Sequence, residues 1–187
     1  QATLRYDFDL ARARVLLERA GYPGGKGLPP LKLDMRAGAT FDRQLGDFLT
    51  TALKAVGMSV EVVLNTFPGF IEKQRQAQTQ MVWGGWILDY PDAESAFQIF
   101  FGPNQAPGPN YSNFRNAEFD RLYRELLRTE PGASSRAPLI QKMEAIVQEE
   151  VPVALLYDQE EMVLVQPWVK NFRARRMIAS KLKHLDL

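Results

Sequence analysis

The sequence predicts an α/β fold, and the order of its apolar patterns carries this prediction. Residues 31–35 and 58–64 alternate between apolar and polar side chains, as half-buried strands do. Between them, apolar residues at three-to-four spacing form a helical stripe that starts at Phe41 and ends before Gly57. Two strands joined by a helix-length crossover make a βαβ unit, in which the strands run parallel.

The first helix is predicted over residues 10–20. Its apolar face comprises Leu10, Ala13, Leu17 and Ala20. Asp9 stands where an N-cap is needed, and Gly21 supplies the left-handed residue that ends a helix. The pattern therefore fixes both ends of this element.

The glycine-rich residues 21–27 invite comparison with a phosphate-binding loop, because they end in Gly-Lys-Gly. That motif needs a glycine where Ala20 stands and Ser or Thr where Gly27 stands. It also follows a strand, whereas this segment follows a predicted helix. The segment is therefore predicted to be a turn.

The rest of the chain continues the alternation of helices, loops and short strands. The predicted elements are a polar surface helix over 69–79, a short strand over 81–86, an irregular loop over 102–113, helices near 117–129 and 134–150, and one or two strands within 153–165. From Trp168 onward the sequence forms a basic tail. A chain of 187 residues that is 45% hydrophobic is long enough to bury the core of one domain.

Composition limits the functions open to this chain. With 23 basic and 22 acidic side chains the net charge is +1, so no overall field attracts nucleic acid, and we expect no nucleic-acid partner. The absence of Cys and the single His, His184, exclude cysteine nucleophiles, disulfides and thiolate or paired-histidine metal sites, so neither a metal nor a cofactor is expected. No apolar run approaches the roughly 20 residues that a transmembrane helix needs.

Basic residues cluster near the end of the sequence. They are Lys170, Arg173, Arg175, Arg176, Lys181 and Lys183. They could contact phosphates, but the balanced total charge favours a solvated surface. The neighbouring His184 has no evident Ser or Cys to activate, which favours a structural role.

The chemically richest stretch is residues 83–94, which places two Trp, one Tyr and three carboxylates around two adjacent glycines. Glycines let a ligand backbone approach closely. Aromatic side chains offer large contact area, and a carboxylate among them can hold a cation or an ammonium group. This stretch is the candidate binding site.

The residues of this stretch carry competing interpretations. Asp92 directly precedes a helix-like run and is predicted to be its N-cap, while Glu94 in the first turn suits the helix dipole. Trp83 and Trp86 could each lie in the core or in a pocket wall. Asp89 does not stand at a helix start, so it is the strongest candidate for ligand contact.

At this stretch the sequence resembles a known family. The run Gly85-Trp86-Ile87-Leu88-Asp89-Tyr90-Pro91-Asp92 is similar to the Gly-Trp-x-x-Asp-Tyr-x-Asp-Pro signature of the family 5 extracellular solute-binding proteins, the dipeptide and oligopeptide receptors of ABC importers. Residues 110–122, beginning Asn-Tyr-Ser-Asn, resemble that family's Asn-x-Ser-x-Tyr-x-Asn-Pro-Glu-Phe-Asp-x-Leu pattern. Tyr6-Asp7 with the Leu-Leu-Glu-Arg-Ala-Gly-Tyr-Pro of residues 16–23, and Glu149-Glu150-Val151-Pro152, match two further family patterns.

The resemblance implies a type II periplasmic-binding-protein clamshell. Residues 1–187 would form a single C-terminal lobe, with a mixed sheet flanked by helices, and the N-terminal lobe would come from residues outside this sequence. The whole protein would capture peptides between its lobes and deliver them to the permease subunits of an ABC importer. We expect a monomer at the periplasmic or extracellular face of the membrane, with lipid anchoring left open.

The resemblance also implies roles for individual residues. Asp89 would bind the α-ammonium group of the peptide, Trp86 would line the pocket and Gly85 would let the peptide backbone approach. Trp83 and Tyr90 complete the predicted ligand-binding set. Some family members place an arginine shortly before the Trp to meet the peptide carboxylate, and residues 81–84 contain none, so peptide length is left open.

Three alternatives remain. One is that these residues bind peptides unaided as an interaction module, which is less favoured because one open lobe leaves the ligand half exposed. The family also includes receptors for nickel complexes, sugars and other small solutes, so the same transport role could serve a non-peptide cargo. An enzyme, for example a glycoside hydrolase using Asp89 with Asp92 or Glu94, is less favoured because Asp92 is better explained as a cap. We therefore expect no catalytic residues.

Overall fold

The computed structural model describes residues 6–38, 40–158, 160 and 162–172. The helices of this part are α1 (Leu10–Arg19), α2 (Thr40–Lys54), α3 (Phe67–Arg75), α4 (Ala93–Phe97), α5 (Ala117–Arg128) and α6 (Arg136–Glu150). The strands are β1 (Leu31–Arg36), β2 (Val60–Asn65) and β3 (Met81–Val82). Short 3₁₀ turns occupy Pro23–Gly25, Gln98–Phe100 and Gly102–Asn104. No helix among the described residues is long and apolar enough to cross a membrane.

The three strands form one parallel sheet in the order β2-β1-β3. β1 pairs with β2 along its whole length, from Leu31 opposite Val60 to Arg36 opposite Asn65. The α/β class and the βαβ unit are confirmed. The family resemblance implied a mixed sheet, whereas the described sheet is purely parallel, and no described residue of 153–165 lies in a strand.

The predicted strands within 153–165 are wrong for the described residues of that range, none of which lies in a strand. Their apolar side chains are largely exposed, with Leu155, Met162 and Leu164 at 76%, 90% and 91%. The apolar residues of this range indicated a strand, but a strand forms only where a neighbouring strand offers hydrogen-bonding partners. Tyr157 nevertheless packs its ring 5.9 Å from that of Trp83.

The first helix and the turn after it follow the prediction closely. Asp9 Oδ1 accepts a hydrogen bond from Arg12 N–H at 2.9 Å, and Gly21 adopts a φ of +89° just after α1. The glycine-rich segment forms a 3₁₀ turn, Pro23–Gly25, that packs backbone against backbone on Gly57, in the turn after α2. The turn interpretation is confirmed.

The elements on either side of the candidate site differ in length from their predictions. α3 starts at Phe67, two residues before the predicted start, because Thr66 accepts a hydrogen bond from Gly69 N–H and so caps the helix. β3 ends at Val82, because the following glycines have no side chains to pack in a strand. The predicted helix after Asp92 is α4 followed by a 3₁₀ turn.

The buried apolar residues form two clusters. One lies between the sheet and α2 and is built on Leu33, Met35 and Val60. The other joins α4, α5 and α6; its fully or nearly buried members include Phe97, Phe119, Leu122, Leu126 and Met143. Trp83 packs against the first cluster and Ala93 against the second. The stretch between these two residues therefore connects the two cores.

Candidate functional site

The candidate site lies at the carboxyl ends of the parallel strands. The chain leaves β1 toward β2 on one side, whereas β3 lies on the other side of β1. In open α/β sheets, such a reversal of strand order opens a crevice outside the carboxyl ends of the strands, where ligands bind. Residues 83–92 follow β3 directly, so the predicted site begins at the edge of the sheet where ligands commonly bind in open α/β folds.

The start of the segment is fixed to the sheet. Trp83 N–H donates to the Asp34 carbonyl at 2.9 Å, and the half-buried Trp83 side chain packs against the sheet cluster. The buried Asp34 carboxylate pairs with Lys73 Nζ and accepts from Asn65 Nδ2, both at 2.8 Å. Trp83 was predicted to lie either in the core or in a pocket wall. Within the described residues it packs against the core.

The end of the segment is held by Ser95, in α4, which is fully buried. Trp86 Nε1–H donates to the Ser95 carbonyl at 2.7 Å, and Asp89 N–H donates to Ser95 Oγ at 3.0 Å. The same carbonyl also accepts from Gln98 Nε2 at 3.1 Å. One serine thus binds both the indole of Trp86, the predicted pocket wall, and the backbone of Asp89, the predicted ligand-binding residue.

The Asp89 side chain is exposed, and its carboxylate has no hydrogen bond or ion pair among the described residues. On either side of it in the chain, Trp86 and Tyr90 are 38% and 41% exposed. An unpaired carboxylate between partly exposed aromatic side chains can accept hydrogen bonds from a cationic group, with apolar contact beside it. The arrangement suits an ammonium ligand.

Gly84 and Gly85 are exposed, and a Cβ built on either would meet no atom within 4 Å. Neither glycine is therefore required by packing within the described residues. The open space in front of Gly85 is compatible with its predicted role, the close approach of a ligand backbone.

Asp92 serves as the N-cap of α4, as predicted, and has a second partner that the sequence did not indicate. Its Oδ1 accepts from Glu94 N–H at 2.9 Å and from Arg136 Nη2 at 2.5 Å. The buried Arg136 also donates to the carbonyls of Leu126 and Thr129, at 3.2 and 2.8 Å. Asp92 is thus engaged in holding the helices together, so among the described residues Asp89 is the aspartate of the segment whose carboxylate has no partner.

The acidic side chains of the segment affect the tyrosines near it. A hydrogen bond with Glu94, followed by desolvation and the charges of Glu94, Asp92 and Asp89, raises the pKa of Tyr90. Burial raises the pKa of Tyr123 to about 12, and its hydroxyl donates to the Glu94 carbonyl at 3.3 Å. Both shifts favour the neutral phenol, so the negative potential here comes from the carboxylates.

The second family motif, residues 110–122, has a structural role in the described part of the chain. Asn110 is fully buried; its Nδ2 donates to the carbonyls of Phe101 and Phe114, and its Oδ1 accepts from Ser112 Oγ. Asp120 accepts from Gly102 N–H at 2.8 Å. These contacts order the irregular loop that follows α4.

Sequence reasoning missed Ser95 and Arg136. A buried Ser three residues after an N-cap has no pattern that separates it from an ordinary helical Ser, and Arg136 lies far along the chain from Asp92. His184 and most of the basic cluster, from Arg173 onward, lie outside the described residues. Among the described residues, no group of three or more His, Asp or Glu could hold a metal ion.

Comparison with known families agrees with this architecture. A family model described as "Bacterial extracellular solute-binding proteins, family 5 Middle" matches residues 1–108, more than half of the chain. The chain belongs to the family 5 bacterial extracellular solute-binding proteins.

Individual relatives share modest sequence identity with this chain. The periplasmic murein peptide-binding protein MppA of Escherichia coli is 23% identical over 164 residues, covering 87% of this chain and 29% of MppA. The oligopeptide-binding protein OppA of Bacillus subtilis is 27% identical over 155 residues, covering 81% of this chain and 28% of OppA. The chain therefore spans less than a third of the length of these curated relatives.

A solved structure shows the same fold. The structure of the Escherichia coli murein tripeptide binding protein MppA superposes with a TM-score of 0.75 at 22% identity, covering 87% of this chain and 31% of that one. The predicted type II periplasmic-binding-protein fold is thereby confirmed.

Proposed function

We propose that the whole protein is the substrate-binding component of an ABC-type importer, which captures peptides and delivers them to membrane permease subunits. Family membership supports the substrate-binding role, and the names of MppA and OppA support peptides as the cargo. Residues 1–187 would be one lobe of a clamshell, with the opposite wall supplied by residues outside this sequence. The protein would act as a monomer at the periplasmic or extracellular face of the membrane.

The observation that carries this proposal is the Asp89 carboxylate, which is exposed and unpaired among the described residues while its backbone is held by Ser95. A receptor for many peptides must bind the groups that all peptides share. The α-ammonium group is one of these, and it is the natural partner of an unpaired carboxylate between aromatic side chains. Trp86, Gly85 and Tyr90 would line the same pocket, with Trp83 supporting it from the sheet.

The energetic contribution of Asp89 would set the register of the peptide more than the total affinity. A hydrogen bond to a charged group contributes about 1.5–3 kcal/mol. A micromolar complex needs about 8 kcal/mol. Main-chain hydrogen bonds, apolar contact and closure of the second lobe would supply the remainder.

The competing hypothesis of a glycoside hydrolase loses support from the surroundings of Asp92. An acid–base pair needs two carboxylates that are free to exchange protons. Asp92 is instead bound by Arg136 and the first turn of α4. The other carboxylate of the hypothesis, Glu94, hydrogen-bonds with Tyr90. We therefore propose that the protein has no catalytic activity; glycoside turnover by the whole protein that Asp89→Asn abolishes would contradict this.

The ammonium role is tested by Asp89→Asn in the full-length protein. We expect the affinity for free-amine peptides to fall about 10- to 100-fold, because a charge-assisted hydrogen bond is lost. N-acetylated peptides, which lack the charge, should bind both forms equally. Isothermal titration calorimetry with matched peptide pairs measures both affinities.

Asp47→Asn is the matched control, since Asp47 is an exposed aspartate on α2 and the change in net charge is the same. It should leave both affinities unchanged. Equal losses for free and acetylated peptides in Asp89→Asn would contradict the ammonium role. Mass spectrometry of ligands that copurify with the full-length protein tests the cargo class, and a non-peptide ligand would replace the peptide proposal.

A further inference from the structure

We propose that Ser95 is a positioning residue for the ligand site: it fixes the loop of residues 84–89 so that the Asp89 carboxylate is presented to the ligand. This inference rests on the proposed ammonium-binding role of Asp89. Ser95 is fully buried, so it acts through the loop and not by contact with the ligand.

Ser95 binds two functionally different parts of the loop. Its Oγ accepts from Asp89 N–H at 3.0 Å, which fixes the backbone of the residue that carries the carboxylate. Its carbonyl accepts from Trp86 Nε1–H at 2.7 Å, which fixes the plane of the indole. One residue therefore sets the relative position of the anion and the aromatic side chain.

The loop has few other constraints. In the described part of the chain, the backbone of residues 84–89 makes one hydrogen bond, the one from Asp89 N–H to Ser95 Oγ. Gly84 and Gly85 precede it, and a Cβ added to either would meet no atom within 4 Å. Without this bond the loop would be held through the Trp86 indole alone, and residues 87–89 beyond it would sample more positions of the Asp89 carboxylate.

Ser95 itself has a fixed location. Its N–H donates to the Asp92 carbonyl at 3.1 Å in the first turn of α4, and Asp92 is bound by Arg136. Two residues further along, the ring of Phe97 packs 5.8 Å from that of Phe119 in the helical core. The loop is thus positioned relative to a packed core, which makes the serine hydroxyl a rigid acceptor.

The test compares Ser95→Ala with the wild type in the full-length protein. Ordering a loop during binding costs conformational entropy, which lowers the affinity for ligands whose contacts depend on the loop geometry. We expect free-amine peptides to bind about 3- to 10-fold more weakly, as for the loss of one neutral hydrogen bond, and N-acetylated peptides to be much less affected. Amide hydrogen exchange across residues 86–92 of the ligand-free protein should become faster.

Ser112→Ala is the control, because Ser112 also hydrogen-bonds within a loop, to Asn110 Oδ1 at 2.9 Å, but does not touch residues 84–89. It should change neither the ratio of free-amine to acetylated affinity nor the exchange of residues 86–92. Ser95→Thr, which retains the hydroxyl, should restore slow exchange. When Asp89→Asn is already present, adding Ser95→Ala should not lower the ratio of free-amine to acetylated affinity any further.

The outcomes separate the two proposals. One outcome is that Asp89→Asn lowers the ratio of free-amine to acetylated affinity, while Ser95→Ala changes neither this ratio nor the amide exchange of residues 86–92. The positioning role is then overturned and the ammonium role stands. Faster exchange with an unchanged ratio also overturns positioning, because order in the loop would then not matter for binding. If Asp89→Asn leaves the ratio unchanged, the ammonium role fails and Ser95 has no ligand group to position.

Discussion

At the scale of single residues, two glycines from turns distant in the sequence approach each other closely through their backbones. A Cβ placed on Gly25 would lie 1.7 Å from the Gly57 carbonyl oxygen, and one on Gly57 would lie 2.2 Å from the Gly24 carbonyl oxygen. Gly25 and Gly57 also have φ values of +78° and +93°. Both the conformation and the contact therefore require glycine.

We predict that Gly25→Ala destabilises the protein more than Gly27→Ala. Gly27 has a similar φ of +84° but no neighbouring atom within 4 Å of an added Cβ, so it isolates the conformational cost. That cost is about 1–2 kcal/mol for a left-handed residue, and overpacking adds about 1–3 kcal/mol at Gly25. Urea unfolding of the full-length variants measures the difference, and equal losses would argue against the close approach.

The sequence predicted residues whose roles depend on the residues directly after them, and it missed those whose partners lie across a loop or on another helix. Asp9 and Asp92 were predicted as helix caps, because a cap is defined by the residues that directly follow it. Ser95 and Arg136 were missed, since their hydrogen bonds depend on how the loop and the helices come together. The contribution of Asp89 to ligand binding stays a prediction.

At the scale of elements, one guanidinium group joins three helices. Arg136, the first residue of α6, donates to the end of α5 through the carbonyls of Leu126 and Thr129. It also donates to Asp92, the N-cap of α4. Because the planar group reaches three acceptors in different directions, a lysine cannot replace it.

Arg136→Lys should therefore lower the free energy of unfolding by about 1–3 kcal/mol, the cost of buried acceptors that lose a charged donor. Arg121→Lys is the control, since Arg121 pairs with Glu118 and Glu125 on the exposed surface of α5, where solvent screens the charges. Arg121→Lys should lower the free energy of unfolding distinctly less than Arg136→Lys does. Urea midpoints followed by circular dichroism check both, and similar losses in the two variants would contradict the role of Arg136.

The accuracy of the element predictions depends on what each element needs. α5 and α6 carry their own apolar stripes and hydrogen bonds, so the predicted ranges 117–129 and 134–150 are close to the observed Ala117–Arg128 and Arg136–Glu150. A strand needs a partner, which a pattern along one segment does not contain. The predictions at 153–165 failed for this reason.

At the scale of the whole molecule, the described residues would contact the proposed ligand from one side and leave its other side open. Asp89, Trp86 and Tyr90 are all exposed, so a peptide bound here would keep its opposite side in solvent. Tight binding from one such surface is difficult, because few of the peptide's polar groups are paired. A second lobe that closes over the peptide would supply the missing contacts.

We expect the full-length protein to become more compact when it binds peptides. A mixture of free-amine tripeptides should reduce the radius of gyration measured by small-angle X-ray scattering, because hinge closure brings the lobes together. Asp89→Asn should need higher peptide concentrations for the same change. An unchanged radius at saturating peptide would contradict closure of two lobes.

The way the segment after β3 is tied at both ends has a consequence for insertions and deletions. The hydrogen bonds of Trp83 N–H and Asp89 N–H fix its ends, and Ile87 between them is 82% exposed. Side chains can vary at such a position without moving the backbone. An added or removed residue between 84 and 88 would instead shift a different side chain into the place of Asp89. A segment transplanted from another family member would keep the carboxylate in position only if it had the same number of residues.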